Sequence, residues 1–259
     1  MLELNFNDKK TVQKIAEILK ESENILFITG AGISAESGLP TYRGIGGLYT
    51  TGTTEEGIPI EEALSGQMLK KHPNVTWKYL SQVERACYGK KFNTAHLIMA
   101  NLEKAKNRVW VLTQNVDGFH TQAGSKNVIE IHGNFHYLFC TKCDFQENRE
   151  SYTDLEFPPQ CPKCNSFIRP DVVLFGEMLP FKKLEVLEKE LTKGFDIVLS
   201  IGTTSVFPYI SQPIVAASRL GVPTVEINPD ETYISNIVTY KISSPAGVAL
   251  QEIWNQLGK

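Results

Sequence analysis

Asn24-Ile25-Leu26-Phe27-Ile28-Thr29-Gly30-Ala31-Gly32-Ile33-Ser34-Ala35 holds the transition on which the fold turns. The run from Ile25 to Ile28 is continuously apolar and too short for a core helix. Such a run reads as a strand buried on both faces, the habit of parallel sheets. Gly30 to Ala35 then matches G-x-G-x-x-[GA]. In that setting the glycines let the backbone approach a pyrophosphate at a helix N-terminus. The motif alone is weak, because a plain strand-to-helix turn has the same look. The acid that a dehydrogenase unit carries about 20 residues on, at the end of a second strand, is missing. Glu55 and Glu56 fall in a Gly-rich loop instead. This is not an ordinary dehydrogenase unit.

Outward from this stretch, short apolar runs recur at 109–113, 128–131, 196–201 and 222–227. Helical stripes separate several of them, at 9–22, 94–106 and 182–193. Strands alternating with helices define an α/β fold, a Rossmann-like doubly wound parallel sheet. Residues 1–37, 90–134 and 180–259 are assigned to this sheet domain. Two stretches break the pattern. Residues 38–60 carry six glycines and two prolines, which reads as a lid loop, and with the following helical insertion it spans 38–89. Residues 135–179 carry cysteines, aromatics and prolines without a long helical stripe. They read as a small inserted zinc-ribbon module.

The cysteines of that module are spaced Cys140-x2-Cys143-x17-Cys161-x2-Cys164. Each Cys-x2-Cys pair presents two thiolates from one tight turn, and two turns close the tetrahedral S4 shell that zinc takes in structural sites. Two disulfides are the less favoured alternative. One structural zinc ion is expected, with no coordination position open to substrate. Cys87 is left unpaired, and a free thiol beside a thiolate site suits a reducing cytoplasm.

The chain has 259 residues, 42% of them hydrophobic and 21% charged, enough for a sizeable core. Its formal net charge of −3 gives direct nucleic-acid binding no electrostatic support. The N-terminus does not read as a signal peptide, and the apolar runs are too short to span a bilayer. No membrane association is expected. The oligomeric state is not legible.

Polar clusters fall at the ends of the expected strands: Gln114-Asn115-Val116-Asp117, His132-Gly133-Asn134, Gly202-Thr203-Thr204-Ser205 and Asn228-Pro229-Asp230. Ligands of open α/β sheets bind beyond the carboxyl ends of the strands. Each cluster read singly is also a cap or turn; their shared edge favours a site. Of five histidines, His120 and His132 are the candidate bases. Chemistry does not separate them, but His132 follows a strand directly and precedes a glycine that clears space. His96 follows Asn93-Thr94 and reads as a packed or capping residue.

These motifs, taken in order, resemble the sirtuin family of NAD-dependent protein lysine deacylases, of bacterial or archaeal type. The resemblance runs over about residues 25–250. It rests on Gly30 to Pro40, Tyr42-Arg43-Gly44, Thr113 to Asp117, His132-Gly133, the four cysteines, Phe175-Gly176-Glu177, Gly202 to Ser205 and Ile227-Asn228. It implies NAD as cofactor and acetylated protein lysines as substrate. Gly30, Ala31, Gly32 and Ser34 would line the pyrophosphate and ribose, with Glu36 in the same group. Tyr42 and Arg43 would sit on the lid near the nicotinamide ribose. Gln114, Asn115, Val116 and Asp117 would shape the nicotinamide pocket, with Asn115 also taking part in catalysis. Gly202, Thr203, Ser205 and Asn228 would hold the adenosine half. His132 would be the general base. Val173, Phe175, Gly176 and Glu177 would line the acyl-lysine tunnel and pair with the substrate backbone.

The chain also departs from the family pattern. Its lid reads Thr41-Tyr42-Arg43 where Asp-Phe-Arg is common, and Ser205-Val206-Phe207-Pro208 is one residue shorter than usual. The Tyr and Arg of desuccinylase-type members, aligned on Trp77, are Leu80 and Val83 here. Removal of the acetyl group with transfer to ADP-ribose is therefore the expected activity. Its rivals are mono-ADP-ribosyl transfer and a non-catalytic NAD-sensing module.

Overall fold

The structure is a computed structural model that describes residues 4–41 and 53–258. The chain opens with α1 (Phe6–Glu21) and β1 (Asn24–Thr29), followed by a 3-10 helix (Ala31–Ser37). Helices α2 (Ile60–Ala63), α3 (Gly66–Lys71) and α4 (Pro73–Cys87) form a first insertion. Then come α5 (Thr94–Ala105), β2 (Arg108–Thr113), the one-turn α6 (Phe119–Gln122) and β3 (Val128–Glu130). A second insertion contains β4 (Gly133–Cys140), β5 (Gln146–Asn148) and β6 (Ile168–Val172). The chain closes with α7 (Phe181–Thr192), β7 (Ile197–Ile201), α8 (Pro208–Arg219), β8 (Thr224–Ile227), β9 (Tyr240–Ile242) and α9 (Ala246–Gln256).

The six-stranded sheet has the order β3-β2-β1-β7-β8-β9, with every neighbouring pair parallel. This is the doubly wound arrangement expected. The alternation of side chains along a strand explains how β1 serves two layers. Ile25 and Phe27 pack with Ile15 and Leu19 of α1, Met99 of α5 and Leu250 of α9. Leu26 and Ile28 face the other way, toward Leu187 of α7 and Ile214 of α8. All four β1 residues are essentially inaccessible, and each such side chain contributes roughly 1.5–3 kcal/mol by burial.

The two insertions share one core. Leu69, Trp77 and Leu80 from the helical insertion join Phe135, Leu138, Tyr152 and Ile168 from the cysteine-bearing module. Trp77 donates its indole N–H to the Ile168 carbonyl at 3.2 Å and lies between Tyr152 and Phe157. The helices are thus bolted to the small sheet β5-β4-β6. Of the lid loop expected at 38–60, residues 42–52 lie outside the described residues.

The segment after Gly30 is a 3-10 helix, where the motif predicts an α-helix start. Its Ile33 carbonyl accepts the Asn93 side-chain amide at 2.7 Å, and Ser34 turns its hydroxyl into the protein. The Asn93 amide thus takes a carbonyl that the α-helical ladder would use.

Order reverses between β1 and β7, the topological switch point. There the Gly32 N–H donates to the Gly202 carbonyl at 2.8 Å. A Cβ on Gly202 would come within 2.4 Å of the Ile33 nitrogen, and Gly202 itself has φ +60°. Gly202→Ala therefore combines a backbone clash with a left-handed conformation. A loss of about 2–4 kcal/mol is expected, read as a lowered urea midpoint with unchanged slope.

Candidate active site

Side chains from four strand ends meet around this switch point. After β2, Gln114 donates its amide to the Thr203 hydroxyl at 2.7 Å. After β8, Asn228 donates to the Thr203 carbonyl at 3.1 Å. Asn115 donates to the Gly30 carbonyl at 3.2 Å and to the Ser34 hydroxyl at 3.3 Å. The Ser34 hydroxyl in turn donates to Asp117 at 2.7 Å. Ser205 is buried in the same loop as Thr203, with its N–H on the Thr203 hydroxyl at 3.1 Å. Gly30, Ala31, Gly32, Ser34, Gln114, Asn115, Asp117, Gly202, Thr203, Ser205 and Asn228 are thus brought together. Val116 packs on the core of the insertions. Tyr42 and Arg43 lie outside the described residues. Glu36 is placed apart: its carboxylate accepts the Gly247 N–H in the first turn of α9, a favourable place for an acid.

His132 lies just beyond β3 and is held from three sides. Its carbonyl accepts the Val173 N–H at 2.8 Å. Its Nδ1 faces the Gln114 carbonyl at 3.0 Å, and its Nε2 faces the Tyr209 hydroxyl at 2.7 Å. Gly133 follows with φ +89°, and a Cβ there would sit 1.7 Å from the Asp171 carbonyl. Only glycine lets β3 turn into β4 so close against β6. Burial lowers the His132 pKa below the ordinary imidazole value, and Lys183 adds to that, while the Gln114 carbonyl works against it. The ring is neutral near pH 7 and able to accept a proton. Burial raises the pKa of Asp117, opposed by the Phe119 N–H and the Ser34 hydroxyl.

The other histidines are built in differently. His120 is buried with Nε2 against the Thr29 hydroxyl at 2.9 Å, and burial holds its pKa well below the usual value. His96 closes a capping box with Asn93 at the start of α5.

Among the expected substrate residues, Val173 is tied to His132 as above. Phe175 gives its N–H to Leu64 and accepts the Gly66 N–H, both at 3.0 Å. Glu177 is gripped by both arms of Arg169, at 2.6 and 2.9 Å. Gly176 is exposed at the tip with φ +77°. Phe175 and Glu177 hold the loop, and Gly176 and Val173 face outward from it to different degrees.

The four cysteine sulfurs lie within 4.8 Å of one another. Cys140 and Cys164 are 3.4 Å apart, Cys143 and Cys161 3.5 Å. The Lys142 and Cys143 N–H groups point at the Cys140 sulfur at 3.3 and 3.4 Å. Asn165, with φ +60°, turns the chain back at the second knuckle and donates to the Cys161 carbonyl at 2.8 Å. All four cysteines are free thiols. Four soft ligands converging on one point fit a zinc ion.

Sequence reasoning missed two residues of this region. Tyr209 gave no signal, because it lies inside a helix that no motif marked. Glu226 is a buried acid in an apolar strand, which was visible. It accepts the Ser235 hydroxyl at 2.6 Å and the Lys241 ammonium at 3.1 Å, and so braces the loop after Asn228. Among the described residues no helix is long and apolar enough to cross a membrane.

With the fold and site in view, comparison with known proteins is decisive for the class. Residues 30–208 match the Sir2 family, and the chain belongs to that family, the sirtuins. It is 48% identical over 238 residues to NAD-dependent protein deacylase 2 of Pseudomonas aeruginosa, covering 91% of this chain and 93% of that protein. A mutant Sir2 homologue in complex with 2′-O-acetyl ADP ribose superposes with TM-score 0.84 at 36% identity, over 95% of this chain and 96% of the other. A Sir2–p53 peptide–NAD+ complex gives TM-score 0.81 at 29% identity, over 95% and 98%.

Cys140→Ala or Cys164→Ala should leave an incomplete shell. Metal analysis should fall from one zinc per chain to well below one. The melting temperature should drop steeply, because structural zinc contributes on the order of 10 kcal/mol in small modules. Full stability after complete chelation would rule out this role.

Proposed function

We propose that this chain is an NAD-dependent protein lysine deacetylase, producing free lysine, nicotinamide and O-acetyl-ADP-ribose. The observation that carries the reading is a neutral base, His132, on the same sheet edge as the buried Ser34–Asn115–Asp117 group. The deacylase relatives and the acetyl-ADP-ribose complex of a Sir2 homologue support it.

When bound, NAD supplies an electrophilic ribose carbon whose bond to cationic nicotinamide is weak. Gly30, Ala31, Gly32 and Ser34 would hold the pyrophosphate side, and Gly202, Thr203, Ser205 and Asn228 the adenosine side. Gln114, Asn115, Val116 and Asp117 would orient the nicotinamide. Asn115 and Asp117 are under a tenth exposed, so these residues exclude the water that would compete with the acyl oxygen. Tyr42 and Arg43 would complete the enclosure. His132 Nε2 would take a ribose hydroxyl proton. Val173, Phe175, Gly176 and Glu177 would receive the acyl-lysine segment. Zinc would stay structural on Cys140, Cys143, Cys161 and Cys164. A reducing cytoplasm would suit the unpaired Cys87 and the four thiolate ligands.

The preference for acetyl rests on α4. Leu80 is buried and Val83 packs beside it in the same apolar core that Val116 joins from the cofactor side. The α4 cations are engaged or turned outward: Lys78 pairs with Glu55 and Glu56 at 2.6 Å, and Arg85 is exposed. A succinyl carboxylate placed among these residues would be buried without a partner, at a cost of several kcal/mol.

His132→Ala should lower kcat/KM for an acetylated peptide by about 10²- to 10⁴-fold, the scale of a lost general base. NAD binding, followed by calorimetry, should persist. Retention of near-full activity would move the base elsewhere.

On matched peptides, acetyl-lysine should be processed far better than succinyl-lysine. The pair Leu80→Tyr with Val83→Arg should raise the succinyl-to-acetyl ratio of kcat/KM. Equal rates on both peptides in the unmodified protein would remove the argument from α4.

A further inference from the structure

The deacetylase chemistry accounts for His132 but not for the phenol that covers it. The Tyr209 hydroxyl is 2.7 Å from His132 Nε2. On the other side of the ring, Nδ1 lies 3.0 Å from the Gln114 carbonyl oxygen. A carbonyl can only accept, so in the neutral ring Nδ1 carries the hydrogen and Nε2 the lone pair. Tyr209 is therefore the donor to Nε2. Burial pushes its pKa up to about 12, so the donor keeps its proton throughout the neutral range.

The contact is built into the fold. Tyr209 stands in the first turn of α8 with Phe207 stacked on it, centroids 5.5 Å apart and planes 14° from parallel. Both rings meet the imidazole edge-on, at 6.2 Å for Phe207 and 5.8 Å for Tyr209. The loop that delivers them passes through Gly202 at φ +60° and Ser205 at φ +54°. A serine in the left-handed region is uncommon. The Thr203 hydroxyl and the Ser200 side chain hold it there, at 3.1 and 3.3 Å.

We propose that Tyr209 is a positioning residue for the base: its hydroxyl holds the Nε2 lone pair in the cofactor-free protein and gives way to the ribose hydroxyl. One in-plane lone pair serves one donor, so the two hydroxyls are alternatives at Nε2. The hold on His132 is a property of the protein alone; its exchange for a ribose hydroxyl rests on the deacetylase reading. A donor on the lone pair favours the neutral ring, so Tyr209 extends the base's working range toward acid pH. The charged groups around the ring have other partners. Lys183 of α7 donates to the Glu130 carbonyl at 2.8 Å and lies 3.9 Å from the Asp171 carboxylate of β6. The Glu130 carboxylate accepts from Asn134 at 2.7 Å, and Asp117 is held by Ser34 and Phe119.

Tyr209→Phe keeps the ring and its stacking and removes only the donor. The His132 titration is followed by NMR in the cofactor-free, full-length protein, beside the pH profile of kcat/KM on an acetylated peptide. The His132 midpoint should rise by about 0.4 to 1 unit, the size of one net hydrogen bond. The acid limb of the profile should rise with it, so the variant loses rate first at low pH. An unmoved midpoint overturns the proposal, since water would then serve Nε2 equally well. A loss of kcat as deep as that of His132→Ala, with an unmoved acid limb, also overturns it, by making Tyr209 a proton relay. A shifted midpoint in a protein that shows no deacetylation at any pH upholds the hold on His132 and refutes the deacetylase reading.

Discussion

Two peptide backbones lie directly on each other where β1 and β7 end, and the rest of the site follows from that contact. Gly30 donates to the Ile201 carbonyl at 3.2 Å and Gly32 to the Gly202 carbonyl at 2.8 Å. No side chain fits between them. The crevice at the switch point is therefore floored by backbone. Thr203 emerges beside it and becomes the common partner of Gln114 from β2 and Asn228 from β8. Hydrogen bonds then run across the ends of β2, β1, β7 and β8. Polar groups that would each be an ordinary turn or cap become one preorganised wall, the arrangement that serves transition states best.

His132 sits where the two sheets of the protein join. His132 ends the line of β3, and β4 begins at the next residue and runs to Cys140. One strand thus has His132 next to one end and Cys140, one of the four converging cysteines, at the other. The cysteine cluster and His132 are therefore joined through a single eight-residue strand. The small sheet pairs β4 with β6, Val173 follows β6, and Val173 holds the His132 backbone. The shared core of the two insertions extends this support to α4. Loss of the metal should disturb the base through strand position, without any change in coordination at the reacting groups.

The sequence was most legible where a single element decides the outcome. The strand at 24–29 coincides with β1, because an unbroken apolar run between Gly-rich turns leaves no competing period. The cysteine spacing located all four sulfurs, because ligand geometry allows few alternatives. The meeting of polar groups at the strand ends was readable because polar residues cluster after apolar runs. What stayed hidden depends on pairs far apart in sequence. Tyr209 and His132 are separated by 77 positions, and nothing local to Pro208-Tyr209 marks a contact with a histidine. The α-helix start expected after Gly30 failed for the same reason: Asn93, from a distant segment, takes the Ile33 carbonyl that an α-helix would use. Glu36 had a similar fate, drawn to the start of α9 by an N-terminus that lies 211 positions away.

Burial acts on the two central titratable groups with opposite charge but one result. It lowers the pKa of His132 and raises that of Asp117, so both are pushed toward their neutral forms. For the histidine this favours the neutral ring. For the aspartate the local hydrogen bonds resist, since Phe119 and Ser34 both favour the carboxylate. Asp117 therefore stands between two environments, a dry pocket that disfavours its charge and two donors that keep it. A cation placed against it would tip that balance toward the carboxylate and be held in return, while a neutral group would not. For both groups burial and hydrogen bonding pull in opposite directions: the Gln114 carbonyl favours the charged imidazole as Phe119 and Ser34 favour the carboxylate.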